Sequence, residues 1–104
     1  AMRVVLIYMT ARNLGEAKKI GGMLVEKRLA ACINILGPIR SIYRWEGKIQ
    51  NGREVAFLAK TKSAKVAKLI QQVKKIHSYS CPCIVAIPLT GGNADFLRWV
   101  EQET

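Results

Sequence analysis

An apolar run, an amphipathic helix, a pair of long strands, a second amphipathic helix and a short last strand follow one another along the 104 residues. That order predicts an α+β fold, a ferredoxin-like βαββαβ sandwich with an extra C-terminal helix. Two observations carry the expectation. The apolar period changes between that of a strand and that of a helix from segment to segment, and a cap or turn signal stands near each change. The length suits a single domain spanning residues 1–104, with Ala1 ahead of Met2 read as an added residue. Half of the chain is hydrophobic, 50%, which is enough for a core. A chain this short still buries a limited share of its surface, so association would add buried area.

Arg3 to Thr10 is almost continuously apolar, as in a strand covered on both faces. Asn13 then opens a helix, with Glu16 three residues on at the spacing of a capping box. Leu14, Ala17, Ile20, Leu24 and Val25 recur at a helical period, while Lys18, Lys19, Glu26 and Lys27 take the outer surface. Gly21-Gly22 in its middle costs about 1 kcal/mol per glycine relative to alanine, or else admits a close approach to the sheet.

Ala31 to Trp45 reads as a long strand interrupted at Gly37-Pro38, where a bulge or a sheet edge is expected. Beyond it, Asn51-Gly52 is the strongest short hairpin signal, since a type I′ turn needs positive φ at both positions. Val55, Phe57 and Ala59 alternate with Glu54, Ala56, Leu58 and Lys60 on the returning strand, and the hairpin's tip carries Trp45 and Glu46. Ser63 is expected to cap a second helix whose inner stripe is Val66, Leu69, Ile70, Val73 and Ile76. Cys81 to Leu89 reads as a fourth strand, at an edge because Pro82 and Pro88 punctuate it. Gly91-Gly92 turns the chain, and Asn93 with Asp95 starts a last helix holding Phe96, Leu97, Trp99 and Val100. Two helices on one face leave the other sheet face open, and a partner subunit is an economical cover for it.

The formal net charge is +10, from 17 Lys and Arg against 7 Asp and Glu. Such a balance favours acidic partners in general. The lysines are spread over both helices in the manner of a solvated face, however, and the predicted third strand carries Phe57 alone, without the stacking aromatics of RNA-binding sheets. Nucleic acid is therefore not an expected partner. Nor is a membrane, because no run of about 18 apolar residues occurs and the opening segment is too short for a signal peptide. Three cysteines without framework spacing point to free thiols in a reducing compartment, the cytoplasm.

Tyr43 and Trp45 are two residues apart and share a strand face at the end of a ribbon. They suit either a contact with another copy of the chain or a local aromatic pair closing the core. His77, Cys81 and Cys83 form the one concentration of soft ligands, with both cysteines expected on the same side of a strand. Thiolate and imidazole suit copper or zinc, whereas the bland alternative makes the cysteines small core residues and His77 a helix terminus. Cys32 reads first as core and second as ligand. One histidine with no carboxylate near it in sequence gives no nucleophile–base pair, and no phosphate or dinucleotide motif is present, so no enzymatic activity is expected.

Three blocks in order, from Glu26 through Ala31-Cys32-Ile33-Asn34 to Ile35, from Ser41 through Tyr43-Arg44-Trp45 to Lys48, and Lys60-Thr61-Lys62, closely resemble the CutA family of divalent-cation tolerance proteins. The tail agrees in His77-Ser78-Tyr79, Pro82, Ile84 to Pro88, and Asn93 through Trp99. This resemblance implies a ferredoxin-like subunit in a homotrimer of PII-like architecture, a link to copper and other divalent cations, and Cys32 and His77 as counterparts of proposed copper ligands. It implies no reaction. Ser78, Ser80 and Cys83 stand where family members commonly carry proline and glutamates, and Met9 where some carry cysteine. Losing carboxylates and gaining Cys81 and Cys83 tilts the expected site toward softer ions such as Cu(I). The metal candidates are thus Cys32, His77, Cys81 and Cys83. A different expectation is a small-molecule or anion sensor using clefts between subunits, with Arg44, Lys48 and Lys60 as the basic groups.

Overall fold

The computed structural model describes residues 4–104. The expected start of the first strand at Arg3 lies outside the described residues. Elements follow in the order β1 (Val4–Ala11), α1 (Leu14–Glu26), β2 (Cys32–Trp45), β3 (Lys48–Lys62), α2 (Val66–Ile76), β4 (Ile84–Pro88) and α3 (Ala94–Glu103). The sheet runs β2-β3-β1-β4 with every described pair antiparallel, the arrangement expected of a split βαβ fold.

Helix α1 begins as its spacing predicts. Asn13 Oδ1 accepts the Glu16 N–H at 2.9 Å, and Glu16 Oε1 reaches back to accept the Arg12 N–H at 2.8 Å. Its end carries no glycine. Arg28 takes φ 58°, the Leu29 N–H reaches the Leu24 carbonyl at 2.8 Å and the Arg28 N–H the Val25 carbonyl at 3.1 Å. That is a Schellman cap built on a non-glycine residue, with Leu24 and Leu29 buried as its apolar clasp. Between these ends Gly21 faces the sheet. A Cβ there would stand 3.0 Å from Ile33 Cγ2, whereas one at Gly22 would meet nothing within 4 Å. The glycine pair therefore has one member that allows close approach and one that does not.

The core lies between the sheet and α1 with α2. Ile7 and Met9 of β1, Phe57 and Ala59 of β3, Ile20 and Leu24 of α1, and Leu69 and Val73 of α2 are all fully buried. Each large side chain so buried contributes roughly 1.5–3 kcal/mol. Helix α3 packs on the opposite face at one end, where Leu97 and Val100 enclose Val4. The rest of that second face is partly open and mixes apolar with polar side chains, with Val85 and Ile87 of β4 exposed.

Strands β2 and β3 run well past the shorter β1 and β4 as a two-stranded ribbon, and the molecule measures 44 Å along its longest axis. The ribbon's register corrects one expectation. Asn51 and Gly52 lie inside β3, opposite Ile42 and Ser41, and the turn is Glu46-Gly47, with Trp45 paired to Lys48. Glu46 at φ 49° and Gly47 at φ 78° supply the two positive φ values that a type I′ turn needs. Extending the ladder to Trp45↔Lys48 pairs additional backbone groups that a turn at Asn51-Gly52 would leave unpaired. The expected irregularity near Gly37-Pro38 is present, as a register shift between Ile35 and Gly37 with Gly37 at φ 112°.

Two further boundaries differ. Ser63 makes no side-chain cap; it opens a 3-10 turn, Ser63–Lys65, ahead of α2. The fourth strand begins at Ile84 rather than Cys81, because Pro82 denies the ladder a donor, so Cys81 and Cys83 belong to the connecting loop. As expected, β4 is an edge strand.

Candidate functional site

A cleft of about 540 Å³ opens on the sheet face away from α1 and α2. Strand alternation decides which residues reach it. Val55, Phe57 and Ala59 point into the core, so Glu54 points the other way, as do Tyr8 and Thr10 of β1, which pair with Leu58 and Ala56. Past the bulge, Ser41, Tyr43 and Trp45 of β2 come to the same side. The loop after α2 closes the cleft with Tyr79, Ser80, Cys81 and Cys83. Four aromatic residues, Tyr8, Tyr43, Trp45 and Tyr79, and one carboxylate, Glu54, thus share the lining, spread along the strands rather than gathered at one point. Glu54 Oε1 accepts the Ser41 hydroxyl at 2.6 Å, a diagonal contact past Gly52, which stands directly opposite Ser41. The Tyr79 phenol lies close enough to Glu54 for the carboxylate to disfavour its ionisation.

The loop is held by a buried latch. His77 has 1% of its side chain exposed. Its Nδ1 accepts the Tyr79 N–H at 3.0 Å, so its Nε2–H is free to donate to the Thr10 carbonyl, 2.8 Å away. Thr10 lies one residue beyond the last β1–β4 pair, Met9↔Ile84, and the imidazole takes a carbonyl at the place where the ladder stops. Glu16 joins the latch from α1. Its carboxylate accepts the Ser78 N–H at 2.7 Å and the Ser78 hydroxyl at 3.0 Å, and stands 4.0 Å from His77 Nδ1.

These contacts shift acidities. Partial burial alone would raise the Glu16 carboxyl, but the hydrogen bonds from Arg12 and Ser78, aided by His77, hold it below its ordinary value. Burial pushes the Tyr79 phenol up to about 12, with the Glu54 carboxylate adding to it. Burial likewise pushes the Cys83 thiol up, with Glu54 contributing. The thiolate that a metal would require is therefore disfavoured until a cation is present to offset the cost.

The four ligand candidates are not gathered within one chain. Cys81 and Cys83 line the cleft. Cys32 begins β2 opposite Lys60, in the row of Leu6. That is four residues along β1 from Thr10, about 13 Å at strand rise. His77 is adjacent, but both its ring nitrogens are engaged. Among the described residues no group of three or more His, Cys, Asp or Glu is placed to hold a metal ion. Of the aromatics, Tyr43 and Trp45 are cleft walls and remain nearly half exposed. None of Arg44, Lys48 and Lys60 lines the cleft. Lys60 instead donates to Asn34 Oδ1 and sits 5.7 Å from the centroid of the Phe96 ring. Tyr8, Thr10 and Glu54 are cleft residues that no motif marked, whereas Ser41 and Tyr79 stand in the blocks that carry the family resemblance. The one signal available was Glu54, an acid at the head of an apolar strand.

Residues 5–103 match the profile of the family described as CutA1 divalent ion tolerance protein. The chain belongs to the CutA1 divalent ion tolerance family. The "Divalent-cation tolerance protein CutA" of Archaeoglobus fulgidus is 49% identical over 96 residues, covering 92% of this chain and 93% of that one. Its namesake from Thermus thermophilus is 42% identical over 101 residues, covering 97% and 96%. The solved Thermus thermophilus structure superposes with a TM-score of 0.95 at 39% identity, covering 97% of this chain and 98% of that chain. The Archaeoglobus fulgidus structure, described as a periplasmic protein, gives 0.93 at 47% identity, covering 96% and 97%. Against the longer plant relatives the chain spans a little over half, 56% of the Oryza sativa protein and 55% of the Arabidopsis thaliana protein. CutA1 membership thus agrees with the α+β sandwich and with the resemblance seen in the sequence blocks.

The family description speaks of divalent ions, and the cleft's donors can be compared with that demand. A hard ion such as Ca²⁺ takes six to eight oxygen ligands, and the cleft of one subunit offers a single carboxylate. Two thiols on one wall suit a softer ion of low coordination number.

Proposed function

We propose that this CutA1 chain serves divalent-cation tolerance by binding copper as Cu(I), with Cys81 and Cys83 as the ligands, and that it does so as a cytoplasmic homotrimer. The observation that carries the reading is that both thiols line the same cleft beside Glu54. A cation held by them offsets the burial and the carboxylate charge that otherwise keep Cys83 protonated. Cys32 and His77, the ligands suggested by resemblance, have subsidiary places. Cys32 lies on the same open face and would reach a shared site from a neighbouring copy, and His77 would have to leave its latch.

Assembly is supported by the surface. Edge strands β2 and β4 each have one side without a strand partner among the described residues, and exposed Ile42, Ile49, Val85 and Ile87 accompany Tyr43 and Trp45. Such edges and patches are ordinarily covered by another chain. Free thiols favour the cytoplasm, and no helix among the described residues is long and apolar enough to cross a membrane. We read the chain as a binding protein rather than an enzyme, since the imidazole that would serve as base is buried and doubly hydrogen-bonded.

The test is a Cu(I) titration of reduced protein against a competing chelator, with a Cys81→Ser/Cys83→Ser double variant alongside, and mass by light scattering. The expected result is one tight copper per chain, lost in the double variant, on a particle three times the 11.6 kDa subunit. Copper binding unchanged by the double substitution would overturn the ligand assignment, and a monomer would overturn the assembly.

A further inference from the structure

Along the sequence the lysines are spread over both helices, but the packing of α1 beside α2 gathers several of them. Lys27, at the end of α1, reaches across to α2 and donates to Gln72 Oε1 at 3.1 Å. Lys68 stands four residues before Gln72 and Lys75 three after it, so the two lysines and the amide form one row on the helix surface. Lys65, in the 3-10 turn ahead of α2, continues that row by a turn. With its oxygen taken by Lys27, the Gln72 amide has its N–H groups left to offer, and the row then presents donors throughout. We propose that this row is a docking surface for double-stranded nucleic acid, held through its phosphates without reading of the bases. The proposal goes beyond the copper reading and does not rest on it. The row belongs to the helix layer, away from Cys81 and Cys83 and from the sheet face and edges given to neighbouring copies.

No carboxylate offsets the row. Between Glu54 and Asp95 the chain has no acidic residue, and among the described residues none of Lys27, Lys65, Lys68 and Lys75 is in an ion pair. The Glu16 carboxylate is engaged by Ser78 and by the Arg12 N–H. Glu26 comes two residues after the buried Leu24, which at 3.6 residues per turn points it away from the sheet to solvent. Nor does the helix itself ask for lysine here. The first turn of a helix favours acids, whereas α2 has none there, with Lys65 at its N-cap and Lys68 in its first turn. Like charges three residues apart also repel. A bound anion would offset both costs.

The chemistry of the row selects among anionic partners. A protein partner wants an apolar interface centre, where lysine is depleted, and the apolar stripe of α2, Leu69 and Val73, is buried in the core. A bilayer surface is met by helices whose apolar face is free to insert, and that same burial removes it. Single strands are held by stacking on aromatic rings, and the row has none. A duplex backbone needs none of these, since interfaces with it are polar, wet and strongly positive. Phosphates of one strand repeat about every 3.4 Å of axis, and Lys68 to Lys75 covers about 10 Å at helical rise, a reach of about three phosphates. The expectation against nucleic acid concerned the sheet, where bases would have to stack; this face asks for no bases.

The experiment is an anisotropy titration of a labelled, mixed-sequence duplex of about 20 base pairs with the whole protein, at several salt concentrations and with chelator present. Parallel arms use a duplex of unrelated sequence, the single strand, a glutamate-rich peptide and phosphatidylserine vesicles. The expected outcome is equal binding of the two duplexes, tighter than the other three. Its logarithm should fall against log salt with a slope of about −2.7, roughly a 40-fold loss between about 50 and 200 mM. Lys68→Gln/Lys75→Gln should bring the slope to about −0.9 and weaken low-salt binding about tenfold or more. Lys18→Gln/Lys19→Gln removes the same charge from exposed positions of α1 outside the row and should leave most of the affinity. No duplex binding at low salt, equal weakening by the two double substitutions, or a preference for the single strand, the peptide or the vesicles would overturn the proposal. Because metal is excluded, these outcomes are separate from the fate of the copper site.

Discussion

Replacing His77 by alanine tests whether this residue is a structural latch. The ring is 1% exposed, donates to Thr10 and accepts from Tyr79. Each hydrogen bond is worth about 0.5–1.5 kcal/mol net, and a buried partner left unpaired costs about 1–3 kcal/mol more. With partial relaxation of the loop the total loss is about 2–4 kcal/mol, in the upper part of what single substitutions do. For a domain of this size that lowers the Tm by on the order of 10–20 °C. The assay is thermal unfolding of wild type and His77→Ala at one fixed protein concentration, since assembly makes Tm concentration-dependent, with and without chelator. The latch predicts the full deficit in chelator, and faster amide exchange in the loop from Ser78 to Cys83. Co-melting of the two proteins in chelator would refute the latch. A deficit seen with metal alone would make His77 a ligand.

The adjacent glycines of α1 make an internally controlled pair. Gly22→Ala gains about 1 kcal/mol of helix propensity in open space, whereas Gly21→Ala must push against Ile33 at 3.0–3.4 Å and loses roughly 1–3 kcal/mol to overpacking. Urea unfolding should rank Gly22→Ala above wild type and Gly21→Ala at or below it; equal gains would mean that the helix does not depend on that contact. Tyr79 gives a pH signature. Burial and Glu54 disfavour its phenolate in the folded protein, so the folded state holds the proton more tightly than the unfolded state does. Its stability contribution is fully present below about pH 10 and is lost as the pH rises through about 12. Phenolate absorbance should show a late-titrating tyrosine that disappears in Tyr79→Phe and moves down in Glu54→Gln. An alkaline unfolding midpoint unchanged by Tyr79→Phe would contradict this.

Where apolar period and backbone chemistry coincide, the elements were legible. The stripe of α2 and the Asn13–Glu16 box could be read because a helix face and its cap are local, depending on residues three or four apart. The hairpin turn was not so easily read. As residue types Asn51-Gly52 and Glu46-Gly47 each offer a glycine at the second position of a type I′ turn, and choosing between them depends on how many ladder pairs the partner strand can add. The end of α1 was missed because a non-glycine, Arg28, takes the left-handed position there. The strain is offset by the burial of Leu29 against the core, which is a tertiary matter.

For the site, sequence and structure divide the work differently. The thiols, the imidazole and the aromatic pair were visible as residue types, and the block resemblance pointed to the CutA family. Sequence could not show that Glu54, Tyr8 and Tyr79 share one cleft. They come from β3, β1 and a loop, and only strand register puts them together. Nor could it show that, among the described residues, the lysines and arginines stay outside that cleft. Charge composition is a sum over the chain, whereas the sign of a cavity is decided by the few side chains whose strand parity turns them inward.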